Sequence, residues 1–500
     1  MRRSEKSAEA VVAEQKPAPV DPGSSRKVQQ SEGPNGREGE SIASLAAGRR
    51  QKPTRVGGPQ RVGVKPREEA DPGEPVGAAS GPKRPGTDHL MEEVVERANM
   101  QAALKRVKQN RGGPGVDGMT VDELPAHLQT AWPRIREDLL AGTYRPTVVL
   151  RREIPKASGG VRELGIPTVV DRLVQQAILQ VLQPRFDPTF SEHSHGFRPG
   201  RKAHDAVIAA QRHVQAGRRW VVDVDLERFF DRVNHDVLLE RLSRRIADKR
   251  VLRIVRRYLD AGIMADGVVI ERHEGTPQGG PLSPLLANVL LDEIDKQLEA
   301  RGHAFVRYAD DCNVYVRSKR AGERVMSLMR QMYGRLRLRV NESKSAVAPA
   351  VTRKILGYSL WWRRTADIGI RVAPQALEVF RRRVRELTNR NRGASLRTVV
   401  EELTVYVRGW KQYFHLAETP RVFRHLDRWL RRRVRMLQLK QWKRGRTAYT
   451  ALVRAGIAAT EARQLATSLR RWWRTSNHPA IRQVLSPANF DAMGLPRLAG

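Results

Sequence analysis

The stretch His303–Ser318, HAFVRYADDCNVYVRS, decides the fold. Two β-prone runs, Phe305–Tyr308 and Cys312–Val316, flank the pair Asp310-Asp311. Val, Tyr and Phe suit a pleated, half-buried surface, and adjacent Asp residues do not. The pattern predicts a hairpin with paired carboxylates at its tight turn. Taken singly, such a pair reads as ordinary turn chemistry, because Asp is common in turns.

A second acidic stretch lies upstream, in WVVDVDLERFFDRVNHDVLLERL, Trp220–Leu242. Val222, Val224 and Leu226 alternate with Asp223 and Asp225, so a strand places them on opposite faces. The apolar set packs into a core and both carboxylates project the other way. Phe229, Phe230, Val233, Val237 and Leu238 then follow helical spacing. Asn234 is placed to cap a further helical turn.

A strand-borne Asp beside a hairpin-borne pair suits nucleotide transfer. Two Mg²⁺ ions a few Å apart activate an attacking 3′-hydroxyl and stabilise departing pyrophosphate. Mg²⁺ prefers hard oxygen ligands, and carboxylates are its usual protein donors.

Composition agrees. Lys and Arg total 91 against 54 Asp and Glu, a formal net charge of +37 over 500 residues. Such a field attracts polyanions, and phosphate neutralisation supplies most sequence-independent nucleic-acid affinity. No apolar run of about eighteen residues is present to span a bilayer, so no membrane partner is expected. The N-terminus lacks the apolar stretch of a signal peptide. The single cysteine, Cys312, rules out a disulfide framework or a cysteine-built zinc site. It reads as a small packing residue.

Residues 1–87 are rich in Gly, Pro, Ser, Glu and Arg without apolar period, and read as a disordered basic extension. Folded sequence begins near Leu90, where LMEEVVERANMQAALKRV has helical spacing. VVLRREIPKASGGVRELGIP predicts strand, turn and strand, and DRLVQQAILQVLQPRF a helix stopped by Pro184. Ser283 and Pro284 carry an N-cap and N1 signature for the helix that follows. Beyond Pro374 the chain becomes helical and strongly basic, in LEVFRRRVRELTNR, LTVYVRGWKQYF and LDRWLRRRVRMLQLKQWKRGR.

The YADD box and the D-x-x-x-x-F block from Asp225 to Phe230 resemble palm motifs of reverse transcriptases. GTPQGGPLSPLLANVLLDEID, IPKASGGVRELGIPTVVDRLVQQ, SHGFRPGRKAHDA and RGGPGVDGMTVDEL resemble, more narrowly, group II intron-encoded proteins. The resemblance runs from about Leu90 to the C-terminus.

The resemblance implies that Asp225, Asp310 and Asp311 are catalytic and bind the metal, two Mg²⁺ ions with Mn²⁺ as a substitute. Asp223 matches no ligand position and reads as structural or as a residue that orients the ligands from behind. Phe230 matches the bulky residue that crowds the sugar 2′ position. Lys156 and Arg162, around the Ser158-Gly159-Gly160 turn, resemble finger residues that hold the incoming triphosphate. A forked guanidinium and a point ammonium suit that task. Gln278 resembles a residue near the incoming nucleotide, and Lys344, in NESKSAV, a lysine that assists pyrophosphate departure. Gly357 and Tyr358 resemble the block supporting the primer end. Trp410 and Tyr413, in GWKQYF, resemble the maturase (X) domain and, with Gly357 and Tyr358, are assigned to RNA and primer binding. Basic residues from Arg421 to Arg446, interleaved with Trp429 and Trp442, suit structured RNA.

The expected fold is α+β. Right-hand fingers and palm, with an antiparallel palm sheet, span 88–365; a helical thumb and maturase domain span 366–475; a tail spans 476–500. The expected function is Mg²⁺-dependent extension of a primer on an RNA template with dNTPs, plus assistance to intron splicing and mobility. Expected partners are group II intron RNA, an RNA template and a DNA primer or target, with a homodimer left open. A bacterial cytoplasmic ribonucleoprotein is the expected location. No cysteine follows Cys312 before Gly500, so an endonuclease domain with Cys and His ligands is not expected. Two alternatives stand: a domesticated reverse transcriptase in host defence or repair, and a splicing-only RNA-binding maturase.

Overall fold

The computed structural model describes residues 87–155, 161–265, 268–270, 274–276, 279–365, 367–468 and 471–499. Apart from Thr87, the extension read at 1–87 lies outside them. So do Lys156, the Ser158-Gly159-Gly160 turn and Gln278, and of Arg162 only the backbone is described.

The strands are, in chain order, β1 (Val149–Pro155), β2 (Val161–Ile166), β3 (Trp220–Val224), β4 (Ile263–Ala265), β5 (Val268–Ile270), β6 (Ala304–Tyr308), β7 (Asp311–Val316), β8 (Ala346–Pro349), β9 (Lys354–Ile355), β10 (Tyr358–Trp362) and β11 (Ile368–Val372). They form three sheets, ordered β2-β1-β4-β5, β6-β7-β3-β8 and β11-β10-β9. The second is antiparallel throughout and carries both acidic stretches.

This central sheet is covered on both faces, and strand alternation decides which side chain goes where. Val222, Val224, Phe305, Cys312 and Val314 enter one core, shared with helices Val169–Phe186, Ser283–Ala300 and Lys319–Arg335. Val221, Val306 and Tyr315 enter a second core with helix Ala203–Gln215 and the basic helices Pro374–Leu387, Leu396–Tyr413 and Pro420–Gln441. Asp223 and Asp225 share the face of Val221. The carboxylates therefore project away from the first core, as the alternation predicts, at the open end of a face whose other end is also buried.

Local signals set several boundaries. The Asn234 side chain accepts the Val237 N–H at 3.0 Å and caps helix His235–Ser243. Three sequence expectations change. The first helical stretch is two helices, Leu90–Val94 and Arg97–Asn110, because Glu96 between them is extended. Pro184 does not stop its helix, which runs on to Phe186. Pro184 lies in the last turn, so the only helical bond it forfeits is the one to the Gln180 carbonyl. Ser283 is the first helical residue rather than the cap, and its hydroxyl accepts from Thr276 at 3.0 Å.

The position at which the mixed region was read to end, 365, falls inside the β10–β11 hairpin, whose strands pair from Tyr358↔Val372 to Trp362↔Ile368. Beyond 476, Phe490, Leu495 and Leu498 fill the second core. Among the described residues no helix is long and apolar enough to cross a membrane.

Candidate active site

Asp225 lies one residue past the end of β3. Its backbone N–H donates to the Ser345 hydroxyl at 3.0 Å. Its carbonyl accepts from the Asn341 N–H at 2.8 Å and the Ser345 hydroxyl at 3.2 Å. The loop that carries Lys344 thus wraps Asp225 by main-chain bonds, and the Lys344 ammonium stands 3.5 Å from Asp225 Oδ1.

The β3–β7 register pairs Val224 with Cys312. One step beyond that pair come Asp225 and Asp311, at the same end of neighbouring strands. Asp311 closes the hairpin opposite Tyr308, with Ala309 and Asp310 as the turn and Ala309 at φ 57°. The Asp311 carboxyl is pushed up to about 7, first by loss of water around it and then by repulsion from Asp310, Asp225 and Asp223. The residue keeps an exposed edge, so protein crowds the carboxyl on one side and solvent reaches it on the other.

Asp223 is occupied differently. The Arg353 guanidinium holds its carboxylate at 2.6–2.7 Å and donates to the Lys344 carbonyl at 2.7 Å. Burial raises the Asp223 carboxyl above its ordinary value despite that partner. Asp223 therefore acts on the Lys344 loop through Arg353.

The turn between β6 and β7 is braced from beneath by residues that the sequence reading missed. The Arg307 guanidinium donates to both oxygens of Asp295 at 2.5–2.9 Å, to Asn288 Oδ1 at 2.9 Å and to the Ala309 carbonyl at 3.0 Å. Asn288 in turn donates to the Gly196 carbonyl at 3.0 Å. Gly196 lies against the turn so closely that an added Cβ would sit 2.1 Å from the Ala309 nitrogen. A charged residue inside the apolar run FVRY was the available signal for Arg307. Its partner, on a helix, was not marked by local spacing.

Phe229 is buried and Phe230 partly buried at the edge of the first core, with ring centroids 5.1 Å apart. The Phe230 carbonyl accepts the Thr276 N–H at 2.6 Å, and the Val233 carbonyl accepts the Gly275 N–H at 2.7 Å. Gly275 and Thr276 are thereby latched to the aromatic pair. Gly279, at φ 131°, approaches β2 so closely that a Cβ would lie 2.6 Å from the Gly165 carbonyl oxygen.

The residues assigned to RNA and primer binding divide. Leu356 and Gly357 form a positive-φ turn, φ 49° and 79°, and the Tyr413 hydroxyl donates to the Leu356 carbonyl at 3.0 Å. The Tyr358 hydroxyl donates to the Tyr413 carbonyl. Tyr358, Trp410 and Tyr413 are themselves buried. Direct contact with RNA does not fit that burial. Their bulk is consumed in packing, and they brace the Leu356-Gly357 turn.

The donor set suits a hard divalent cation: carboxylate oxygens that repel one another, at an open sheet end. Among the described residues no three such groups already converge as a closed ligand set. Ligation would draw on this repulsion, since a cation relieves it.

Residues 154–360 match the family model for reverse transcriptase (RNA-dependent DNA polymerase), and residues 377–456 that for the group II intron, maturase-specific domain. The chain joins a reverse transcriptase domain to a group II intron maturase domain. Asp225, Asp310, Asp311, Phe230 and Lys344 fall in the reverse transcriptase match, and Trp410 and Tyr413 in the maturase match. The chain is 35% identical to Protein YkfC of Escherichia coli (strain K12) over 218 residues, 42% of this chain and 57% of that protein. It is 36% identical to the group II intron-encoded protein LtrA of Lactococcus lactis subsp. cremoris over 195 residues, 39% of this chain and 32% of LtrA. An uncharacterized 91 kDa protein in the cob intron of Schizosaccharomyces pombe is 35% identical over 213 residues, 41% of this chain and 25% of that protein. The chain thus spans between a quarter and somewhat over half of these relatives' lengths.

Proposed function

We propose that the protein is an RNA-directed DNA polymerase that extends a primer on an RNA template with dNTPs and assists a group II intron in splicing and mobility. The observation that carries the polymerase is the placement of Asp225 and Asp311 at the same end of two paired strands, with Asp310 beside them in the turn and Lys344 3.5 Å from Asp225.

Asp225, Asp310 and Asp311 would hold two Mg²⁺ ions, or Mn²⁺ in their place. When bound, these lower the pKa of the primer 3′-hydroxyl and neutralise the leaving pyrophosphate. The protein groups orient the reactants. Phe230, on a backbone fixed by Thr276, presents a ring where a ribose 2′-hydroxyl would need space. Lys344, reaching into solvent from a loop pinned to Asp225 and Arg353, delivers a proton or a positive charge to the departing phosphates. Lys156, Arg162 and Gln278 complete the nucleotide site on this reading. The Leu356-Gly357 turn, seated on Tyr413, supports the primer end. Closure of such groups around a nucleotide converts binding into orientation, which supplies much of the rate.

The maturase reading rests on the 377–456 match and on the surface chemistry of that region. Arg385 lies 5.9 Å from the Trp429 ring centroid, Arg390 5.2 Å from that of Trp472 and Arg432 3.9 Å from that of Trp473. Trp429 and Trp442, read as stacking groups, are half-buried against the second and third cores. RNA contact there would fall to their edges and to the arginines around them.

The test pairs primer extension with assisted splicing in wild type and Asp310→Ala/Asp311→Ala. cDNA synthesis should vanish while splicing of the host intron persists. Equal loss of both, in a folded variant, would overturn the separation of the two activities.

A further inference from the structure

In the run Ser194–Arg198, Phe197 alone is turned outward. Ser194 is 0% exposed, His195 8% and Arg198 7%, and Gly196 is buried against the Ala309 turn, whereas Phe197 is 43% exposed. Phe197 is a member of none of the three cores. Its backbone is also strained, at φ 59°, a region that bulky L-residues seldom adopt.

Both costs fall on one residue, and the surroundings enforce them. The Gly196 carbonyl is held by Asn288 at 3.0 Å, and the His195 N–H donates to the Arg307 carbonyl at 2.9 Å. On the other side the Arg198 guanidinium donates to the Ser191 carbonyl at 2.6 Å, the Ser194 carbonyl at 3.1 Å, the Asp187 carbonyl at 2.7 Å and Asp187 Oδ1 at 2.9 Å. The chain cannot relax φ at Phe197 without breaking one of these anchors. Strain that the surroundings over-determine in this way concentrates at sites of function.

The location narrows what the ring meets. Gly196, its neighbour in sequence, abuts the backbone of Ala309, so the Phe197 Cα lies about 3.8 Å along the chain from a contact with the Asp310-Asp311 turn. Lys202, exposed a few residues on, adds positive charge. A rigidly held, exposed aromatic residue whose chain neighbour abuts the turn of Asp310-Asp311, with a cation a few residues on, fits a nucleic-acid base or sugar, since every base has an apolar face.

We propose that Phe197 is a platform for the primer–template duplex, against which a base or sugar near the growing end packs. This rests on the polymerase reading above. A second copy of the chain is the rival occupant.

The test compares wild type with Phe197→Gly and Phe197→Tyr. Gly removes both ring and strain; Tyr keeps the ring. Thermal unfolding, anisotropy of a labelled RNA–DNA hybrid and steady-state extension are measured on each. Phe197→Gly should unfold at or above the wild-type temperature, because glycine tolerates positive φ. It should bind the hybrid about tenfold more weakly, with the larger part of the kinetic effect on KM for primer–template rather than on kcat. Phe197→Tyr should bind within about twofold of wild type, since the stacking face is retained. Wild-type hybrid binding by Phe197→Gly would overturn the proposal. So would a drop in its unfolding temperature, which would make the ring a packing group. Loss of a concentration-dependent dimer in Phe197→Gly would assign the ring to the second copy and overturn it as well. Failure of wild type to extend any primer would strike the polymerase reading, while hybrid binding would still decide the role of Phe197.

Discussion

Arg307 and Asp295 form a bidentate ion pair with neither side chain exposed to solvent. The same guanidinium reaches the Ala309 carbonyl, so the pair couples helix Ser283–Ala300 to the turn that carries Asp310. Removing one partner leaves an uncompensated buried charge. Asp295→Ala should lose about 3–5 kcal/mol in urea unfolding. The double variant Arg307→Met/Asp295→Leu should be more stable than Asp295→Ala, because both charges go together. A loss below about 1 kcal/mol for the single variant, the level of an exposed pair, would show that solvent reaches the site.

Asp311 gives the metal-free protein a pH dependence of known sign. Its carboxyl stands at about 7 in the fold against an ordinary 3.8. The folded state therefore binds that proton more tightly than the unfolded chain. The stabilisation is complete below about 3.8 and is lost as pH rises through about 7. With a chelator present, the wild-type unfolding temperature should fall relative to Asp311→Asn between these values. Excess Mg²⁺ should flatten the difference, because the cation competes with the proton. Parallel curves for the two proteins in chelator would remove the argument.

Gly196→Ala tests the fit of the turn proposed to carry the catalytic carboxylates. A methyl 2.1 Å from the Ala309 nitrogen meets backbone, which cannot swing aside as a side-chain tip can. The turn must shift, and misplacement by about 1 Å can cost about a hundredfold in rate. Primer extension should fall by that order while circular dichroism still reports a folded chain. Wild-type turnover in the variant would mean that the loop, rather than the turn, gives way.

Phe230→Ala probes sugar choice. Phe229 is in the core and Phe230 is partly buried at its edge on a fixed backbone, so removing the Phe230 ring opens space at the cost of only part of a core contact. Ribonucleotide incorporation should rise at least about tenfold relative to deoxyribonucleotide, as expected when a steric barrier is withdrawn. An unchanged ratio in a folded variant would assign discrimination elsewhere.

Much of this was legible because it was local. Alternation put Val222 and Val224 opposite Asp223 and Asp225, and Asn234 announced its helix. The apolar stripes of the basic segments predicted the helices that follow Pro374. What remained hidden depends on contacts between distant segments. Burial of Tyr358, Trp410 and Tyr413 is set by which helix lands on β10, and no local period encodes that. Asp295 and Asn288 look like polar positions on an amphipathic helix until Arg307 arrives from the neighbouring strand. Arg353 took Asp223 in the same way. Pro184 misled because its position within the helix, rather than its presence, decides whether it breaks one.

The second core draws together Ala206 and Val207, Val221, Val306 and Tyr315 of the central sheet, Phe380, Leu403 and Leu430 of the basic helices, and Phe490 and Leu498 close to the C-terminus. The regions that match the reverse transcriptase and maturase models thus share one hydrophobic interior, where separable modules would each keep their own. A gene rearrangement that swapped the helical region for another would expose apolar strand residues unless the new segment matched them in shape. The two regions are therefore expected to be inherited as a unit, and substitutions in Tyr315 or Val221 should be matched by compensating changes in the helices that cover them.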